Sequence, residues 1–376
     1  MQVVRMKKKL IYADHAATTP LSDAAWTAMM PFLREEFGNP SSLHSWARRP
    51  REALSEARAT IARCVGADPD EIFFTSGGTE SDNWVIKGSS GGVMVSSYEH
   101  HAILNAAASE ATRGRCVCYC KPKMEGSVWP DKITAAWQNG VKLVSVMAAN
   151  NEIGSRNVLG NLARHVHAKG ALFHTDAVQT VGHIPIDVKK DEIDFLSASA
   201  HKFNGPRGIG FLYVRKGLSL QPLMNGGQQE SGLRSGTENV ASIVGMAAAL
   251  AENCANIEQN AAHLDSLKEQ LMDGISNLSK DVYFPGSKFN YQLPGFVCAS
   301  FPGRSAEAIV HILDLKGVAI SAGAACDSKN TRVSHVLKAV HLPHDLAEGT
   351  VRISLGVENT EADVRGIIGA LHCALR

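Results

Sequence analysis

The chain has 376 residues, 44% hydrophobic and 20% charged, with 38 Lys+Arg against 37 Asp+Glu and a formal charge of +1. That length suits two domains around large cores. So even a charge balance gives no basis for nucleic acid or a membrane surface as a direct partner. The basic opening MQVVRMKKKLIY lacks the apolar run of a signal peptide, and no segment holds the ~18 uninterrupted apolar residues of a membrane span. Eight cysteines fall well short of a disulfide scaffold, so a reducing, cytoplasmic setting is expected.

Taken along the chain, the strand following Ala67 ends in EIFFTSGGTES, an apolar run, a glycine pair and then a helical pattern. Further short apolar strands are predicted at 93–96, 142–148, 171–175, 194–199 and 208–214, with helices such as 161–169 between them. Cys116, Cys118 and Cys120 alternate in RCVCYC, which reads as one face of a strand rather than a metal site. Near-continuous apolar strands separated by helices indicate an α/β fold around a large, mainly parallel sheet. From 240 to 276 the pattern is helical, and then shorter strands (GFVCASF, VAISAG, TVRISLG) mix with helices. The expected division is a large α/β domain over 14–255 and a smaller α+β domain made from 1–13 and 256–376.

In such sheets ligands gather at the carboxyl ends of strands, and several reactive residues fall there. Lys202 follows the run SASAH, where its amine can condense with an aldehyde cofactor. Asp176 ends ALFHT and supplies the carboxylate that a pyridinium nitrogen needs; Gln179 follows at helical spacing, placed to donate to a phenolic oxygen. Gly78 and Thr79 in SGGTES open a helix and suit a phosphate, with Ser199 and His201 as further contacts. The loop carries neither G-K-[ST] nor G-x-G-x-x-G, which argues against a nucleotide triphosphate or dinucleotide. His100 in YEHHAI follows a strand, where an imidazole can stack on a flat ring and exchange protons. Cys326 lies in a polar stretch, SAGAACDSKNT, the setting of a reactive thiol in an exposed, mobile loop. Cys64, Cys254, Cys298 and Cys373 sit in apolar or helical patterns and read as packing residues.

Nine motifs in order, YADHAATTP, FGNPSSLH, FTSGGTESDN, EHHA, NNEIG, HTDAVQTVGH, SASAHKFNGPRGIG, GGQQE…RSGTENV and SAGAAC, start at residue 12, and with TVRISLG the match runs to about 356. Together they resemble the group I cysteine desulfurases, aminotransferase class-V members of fold type I. The resemblance implies pyridoxal 5'-phosphate (PLP) on Lys202, with Asp176 at the ring nitrogen, Gln179 at the phenolic oxygen and His100 over the ring. It implies a phosphate cradle of Gly78, Thr79, Ser199 and His201, completed by Thr237 from the second subunit of a homodimer. Asn151 and Arg352 match the residues that hold the substrate carboxylate, a task suited to a guanidinium fork. L-cysteine would become L-alanine, with Cys326 taking the sulfur as a persulfide and passing it to an acceptor protein for iron–sulfur cluster, thio-cofactor or tRNA thiolation chemistry. The sequence departs from the family at His15, where Asn is usual, and at Ala322 and Ala324, where serines are usual. Rival readings are a selenocysteine lyase or other class-V β-elimination or transamination, and a cofactor-binding scaffold without turnover. The SAGAAC cysteine discriminates against the first, and the intact Lys202, Asp176, His100 and Cys326 against the second.

Overall fold

The computed structural model describes residues 10–286, 291–323 and 333–376. Its strands are β1 (Ile11–Tyr12), β2 (Ile72–Thr75), β3 (Gly92–Ser96), β4 (Val117–Cys120), β5 (Val141–Ser145), β6 (Leu172–Asp176), β7 (Phe195–Ser199), β8 (Gly210–Val214), β9 (Phe296–Ser300), β10 (Val318–Ala319), β11 (Ser321–Ala322) and β12 (Thr350–Ser354). Its helices are α1 (Asp23–Arg34), α2 (Arg48–Val65), α3 (Gly78–Gly88), α4 (His101–Thr112), α5 (Pro130–Ala136), α6 (Leu159–His167), α7 (Val240–Ala255), α8 (Ile257–Leu278), α9 (Ala306–Leu315), α10 (His335–Ala339), α11 (His344–Glu348) and α12 (Glu361–Ala374).

Seven strands form the main sheet in the order β2-β8-β7-β6-β5-β3-β4. All pairings are parallel except those of β8, which runs antiparallel to both β2 and β7. The pleat sends alternate side chains to opposite faces. Met94, Val144 and Leu196 join one core with Ile61, Phe173 and Leu250. Val93, Val95, Leu143 and Phe195 join another with Trp84 and Ile103 on the other face. Burial on both faces is why these strands read as unbroken apolar runs. A third core gathers Val297, Val351 and Ile353 of the antiparallel sheet β11-β12-β9 with Leu267 of α8 and Ile367 of α12.

Residues 11–22 tie these parts together. β1 pairs with β10, the Ala13 N–H donates to the Ala319 carbonyl (2.9 Å) and the Ser354 N–H to the Ala13 carbonyl (2.9 Å). A few residues on, the Thr19 N–H donates to the carbonyl of His201 (2.9 Å) and the Ser22 N–H to that of Asn204 (2.9 Å). The N-terminal segment is thus a strap joining the loop after β7 to β10 and β12.

Two local expectations need correction. Cys116 lies outside β4 and is exposed, whereas Cys118 and Cys120 point into the core. Cys373 is exposed near the end of α12 rather than packed. Among the described residues no His/Cys/Asp/Glu group has metal-holding geometry, and no single helix is long and apolar enough to cross a membrane.

Candidate active site

The carboxyl end of β7 leads into a tight turn that carries Lys202. The Gly205 N–H folds back on the Ala200 carbonyl (2.9 Å), and Asn253 of α7 donates to the Phe203 carbonyl (2.9 Å). His183 donates through Nε2 to the carbonyl of Lys202 itself (2.7 Å). With its backbone held on three sides, Lys202 presents its amine to the strap, donating to the carbonyls of Ala16 and, at 2.9 Å, Ala17. Gln179 donates to the same Ala16 carbonyl (3.0 Å), so Lys202 and Gln179 meet there.

Asp176 ends the neighbouring strand β6 and is 5% exposed. Its Oδ1 accepts the Val178 N–H at 2.9 Å. Burial raises its pKa, while His100, that N–H and Lys202 oppose the rise, so both side chains lie close enough to act on this carboxylate. His100 is the N-cap of α4, and its Nδ1 accepts the Ala102 N–H (3.2 Å), leaving Nε2 to carry the ring proton. Its loop is fixed from below: Tyr98 is fully buried, its hydroxyl accepts from Asn157 (2.7 Å), and its carbonyl accepts from Asn150 (3.0 Å). Burial lowers the His100 pKa, with Asp176 opposing, so the ring favours the neutral form.

Gly78, Thr79, Ser199 and His201 line one cleft of ≈ 340 Å³, together with Thr18 and Arg207. The cleft opens on the N-terminus of α3, where first-turn N–H groups have no partners within the helix. Gly77 holds φ 144°, and a Cβ on Gly78 would come within 2.6 Å of Val178 Cγ2. Gly210 lets β8 press against this loop, since its own Cβ would lie 2.7 Å from Gly77 Cα. His201 Nδ1 meets the Thr18 hydroxyl at 3.1 Å, and burial, then Lys202 and Arg207, bring its pKa down to about 4. It is therefore a neutral hydrogen-bonding group at neutral pH.

The groups present fit PLP. A lysine amine suits an aldehyde, a buried carboxylate suits a pyridinium nitrogen, and a glycine-lined helix start beside Arg207 suits a phosphate.

Arg352 on β12 is 5% exposed and forks between Asp14 Oδ1 (2.7 Å) and the Asn151 carbonyl (2.8 Å). Its Nε is buried with no hydrogen-bond partner among the described residues. The structure thus brings Arg352 and Asn151 together. Thr237 is exposed, in a stretch anchored to the first turn of α3 by Arg234, whose Nε donates to Glu80 at 2.8 Å. Cys326 lies outside the described residues. His15 is buried with its ring packed over Gly356 and 3.6 Å from Glu358.

Sequence reasoning missed a buried polar layer next to Asp176. Glu99 is fully buried; its Oε1 accepts from the Ser96 hydroxyl and from the Met147 N–H (2.7 Å). Burial pushes its pKa up to about 8. Asp82 is also driven upward by burial and by Asp176, so both carboxyls are held towards their neutral forms. His174 bridges Ser145 (2.8 Å) and Ser197 (3.0 Å), and burial pulls its pKa down to about 3. The one available signal was period two on β6, which puts His174 and Asp176 on the same face. Asp14 and Arg207 were missed as well, although both lie inside the nine motifs.

The sequence model of the aminotransferase class-V family matches residues 11–367. A cysteine desulfurase IscS from Dictyoglomus turgidum is 43% identical over 372 residues, covering 97% of this chain and 94% of that protein. Among solved structures, a NifS-like protein superposes with a TM-score of 0.91 at 34% identity, over 98% of this chain and 99% of that one. A structure described as SspA in complex with cysteine gives a TM-score of 0.82 at 32% identity, over 93% and 100% of the two chains.

Proposed function

We propose the following roles for the residues of this chain, which belongs to the aminotransferase class-V family and is a PLP-dependent cysteine desulfurase. L-cysteine is converted to L-alanine, and its sulfur leaves on Cys326 as a persulfide for an acceptor protein. The name IscS among relatives supports iron–sulfur cluster assembly as the destination. The observation that carries the reading is the convergence of Lys202 after β7, Asp176 at the end of β6 and His100 after β3, with a glycine-lined helix start alongside.

PLP, when bound, supplies an electron sink for the carbanion left at the substrate α-carbon. Lys202 would hold it covalently, with Asp176 at the ring nitrogen and Gln179 at the phenolic oxygen. Gly78, Thr79, Ser199 and His201 would hold its phosphate. Asp176 keeps a proton on the ring nitrogen, a task that requires its negative charge in a buried place. The freed Lys202 amine takes the α-proton, and the strap carbonyls of Ala16 and Ala17 orient that amine. His100 is neutral with its proton on Nε2, so it can hand a proton towards the substrate and take one back. Arg352, held in place by Asp14 and Asn151, would pair with the substrate carboxylate. The Cys326 thiolate attacks the substrate sulfur, and the C–S bond electrons stay with the carbon that becomes alanine's methyl group.

The working form is a cytoplasmic homodimer, with Thr237 of the partner subunit completing each phosphate site, and with no direct nucleic-acid or membrane partner. Replacement of Cys326 by Ser provides the test. The variant should still bind PLP and L-cysteine, seen as a shift of the visible absorption band, yet release no alanine and carry no persulfide. Alanine release at the unsubstituted rate would sink the role of Cys326 and make β-elimination the better description.

A further inference from the structure

Cys64 lies in the last turn of α2 and Cys254 in the last turn of α7, two helices that pack side by side. Cys254 Sγ lies 4.0 Å from the Cys64 carbonyl, which sets the two thiol side chains close enough to interact. Both are half-buried at the margin of the main core rather than sealed inside it. Cys298, in contrast, is fully enclosed, and burial drives its thiol pKa upward. The desulfuration chemistry above makes no use of Cys64 or Cys254.

A dithiol reacts in two strokes when one sulfur is readied as a thiolate and the other already touches it. Here the hydrogen bond from Cys254 lowers the Cys64 pKa, burial opposes it, and Arg63 adds to the lowering. The same contact pushes Cys254 the other way, so Cys64 is the more readily ionised of the two.

We propose that Cys64 and Cys254 form a second sulfur-reactive site, distinct from Cys326, that consumes low-molecular-weight persulfides and closes into an α2–α7 disulfide. The reading of the chain as a desulfurase bears only on where such persulfides arise: free cysteine that captures the enzyme's persulfide sulfur leaves as cysteine persulfide. In the first stroke the Cys64 thiolate attacks the outer sulfur of the donor R–S–SH. A bond forms to Cys64 Sγ, the donor S–S bond breaks, and RS⁻ departs. In the second stroke Cys254 attacks Cys64 Sγ and expels hydrosulfide, which takes the Cys254 proton. The sum is R–SSH plus two protein thiols giving RSH, H₂S and one disulfide, with the sulfane sulfur reduced and the two thiols oxidised.

Closure reaches the active site through the neighbouring residue. Asn253 donates to the Phe203 carbonyl, one residue beyond Lys202, so drawing the end of α7 towards α2 pulls on the lysine turn. A disulfide brings the sulfurs to about 2.05 Å, well inside thiol contact distance, so some movement of α2 or α7 follows.

The test uses full-length, PLP-loaded Cys326→Ser protein, treated anaerobically with inorganic polysulfide, alkylated and mapped by mass spectrometry without reduction. The expected product is a peptide pair joined through Cys64 and Cys254, together with a shifted visible band of the bound cofactor. Adding Cys254→Ser should stop the reaction at a persulfide on Cys64. Adding Cys64→Ser should slow thiol loss by about tenfold or more and leave Cys254 alkylatable. Recovery of Cys64 and Cys254 as separately alkylated thiols, or linkage of either to Cys116 or Cys373 instead, would overturn the proposal. The same peptide pair should form in the unsubstituted chain, whose folding does not depend on any serine replacement. Failure of the Cys326 assignment would show differently, as alanine release by the Cys326→Ser protein, so the two ideas fall separately.

Discussion

Glu99 holds a proton that a solvent-facing glutamate would have lost. In the folded chain it titrates at about 8, against an ordinary value of 4.5, because burial penalises its charged form. Between those two pH values the folded state binds more protons than the unfolded one, so stability falls as pH rises through that window. A Glu99→Gln variant has no such proton to exchange and keeps the acceptor for Ser96 and Met147. Its stability relative to the unsubstituted chain should therefore grow by about 1.4 kcal/mol per pH unit within the window and level off above pH 8. Thermal unfolding at pH 5, 7 and 9 measures this, and a gap that stays flat across that range would rule it out. Asp176→Asn tests the opposite kind of carboxyl, one whose charge the proposed mechanism uses. It should retain PLP but lose most turnover, read as a fall in kcat with little change in KM. Lys202 and Asp176 were legible from the sequence because a reactive side chain directly after an apolar run is a strand-end residue whatever its surroundings. Glu99, Asp82 and His174 were not, because a one-letter code shows that a group can ionise and not that it lies where it will not. Arg352 was named through the resemblance, but its partner Asp14 sits 338 positions away, where no local spacing points to it.

At the scale of elements, the phosphate cleft depends on how closely three pieces of backbone approach. Gly77 has φ 144° and ψ −177°, a region essentially restricted to glycine, and its Cβ would meet Ser199 Oγ at 3.3 Å. Gly77→Ala should cost about 1–3 kcal/mol of stability and weaken PLP binding, because relief of the strain turns the first N–H groups of α3 away from the cleft. Calorimetric unfolding with and without the cofactor separates the two effects, and an alanine variant as stable and as tightly loaded as the original would refute this role of Gly77. The strands themselves were readable, since burial on both faces leaves no polar gaps in β3, β5, β6 and β7. The direction of β8 was not. An antiparallel strand buried on both faces has the same apolar signature as a parallel one, and only the short turn from Lys202 back into the sheet hints at the reversal.

For the whole molecule, the surface of one chain carries more apolar area than scattered exposure explains. Trp26, Met30 and Leu33 form one stripe of α1, each 44–50% exposed, and Phe37 and Trp46 stand nearby with their rings 5.6 Å apart. Contiguous patches of that kind mark contact surfaces. A second copy is the expected occupant, because the Thr237 stretch is exposed yet anchored to the phosphate helix by Arg234. Light scattering should report twice the chain mass. The double substitution Trp26→Asp and Leu33→Asp should move the mass towards one chain and loosen PLP together with it. A single-chain mass for the fully active, unsubstituted protein would end that reading.

The strap at residues 11–22 also bears on the order in which the chain can mature on a ribosome. Its partners at 318–319 and 352–354 are about 300 residues downstream, and at about 5–20 residues per second they emerge roughly 15–60 s after it does. The main sheet can assemble earlier, because its strands lie between residues 72 and 214. The carbonyls of Ala16 and Ala17 that orient the Lys202 amine belong to the strap, so the lysine reaches its final setting only after β10 and β12 have emerged. Stalled nascent chains ending near residue 260 should therefore acquire sheet structure but not a stable cofactor linkage. A reactive amine that waits for β10 and β12 to appear is a built-in delay against early loading of the cofactor.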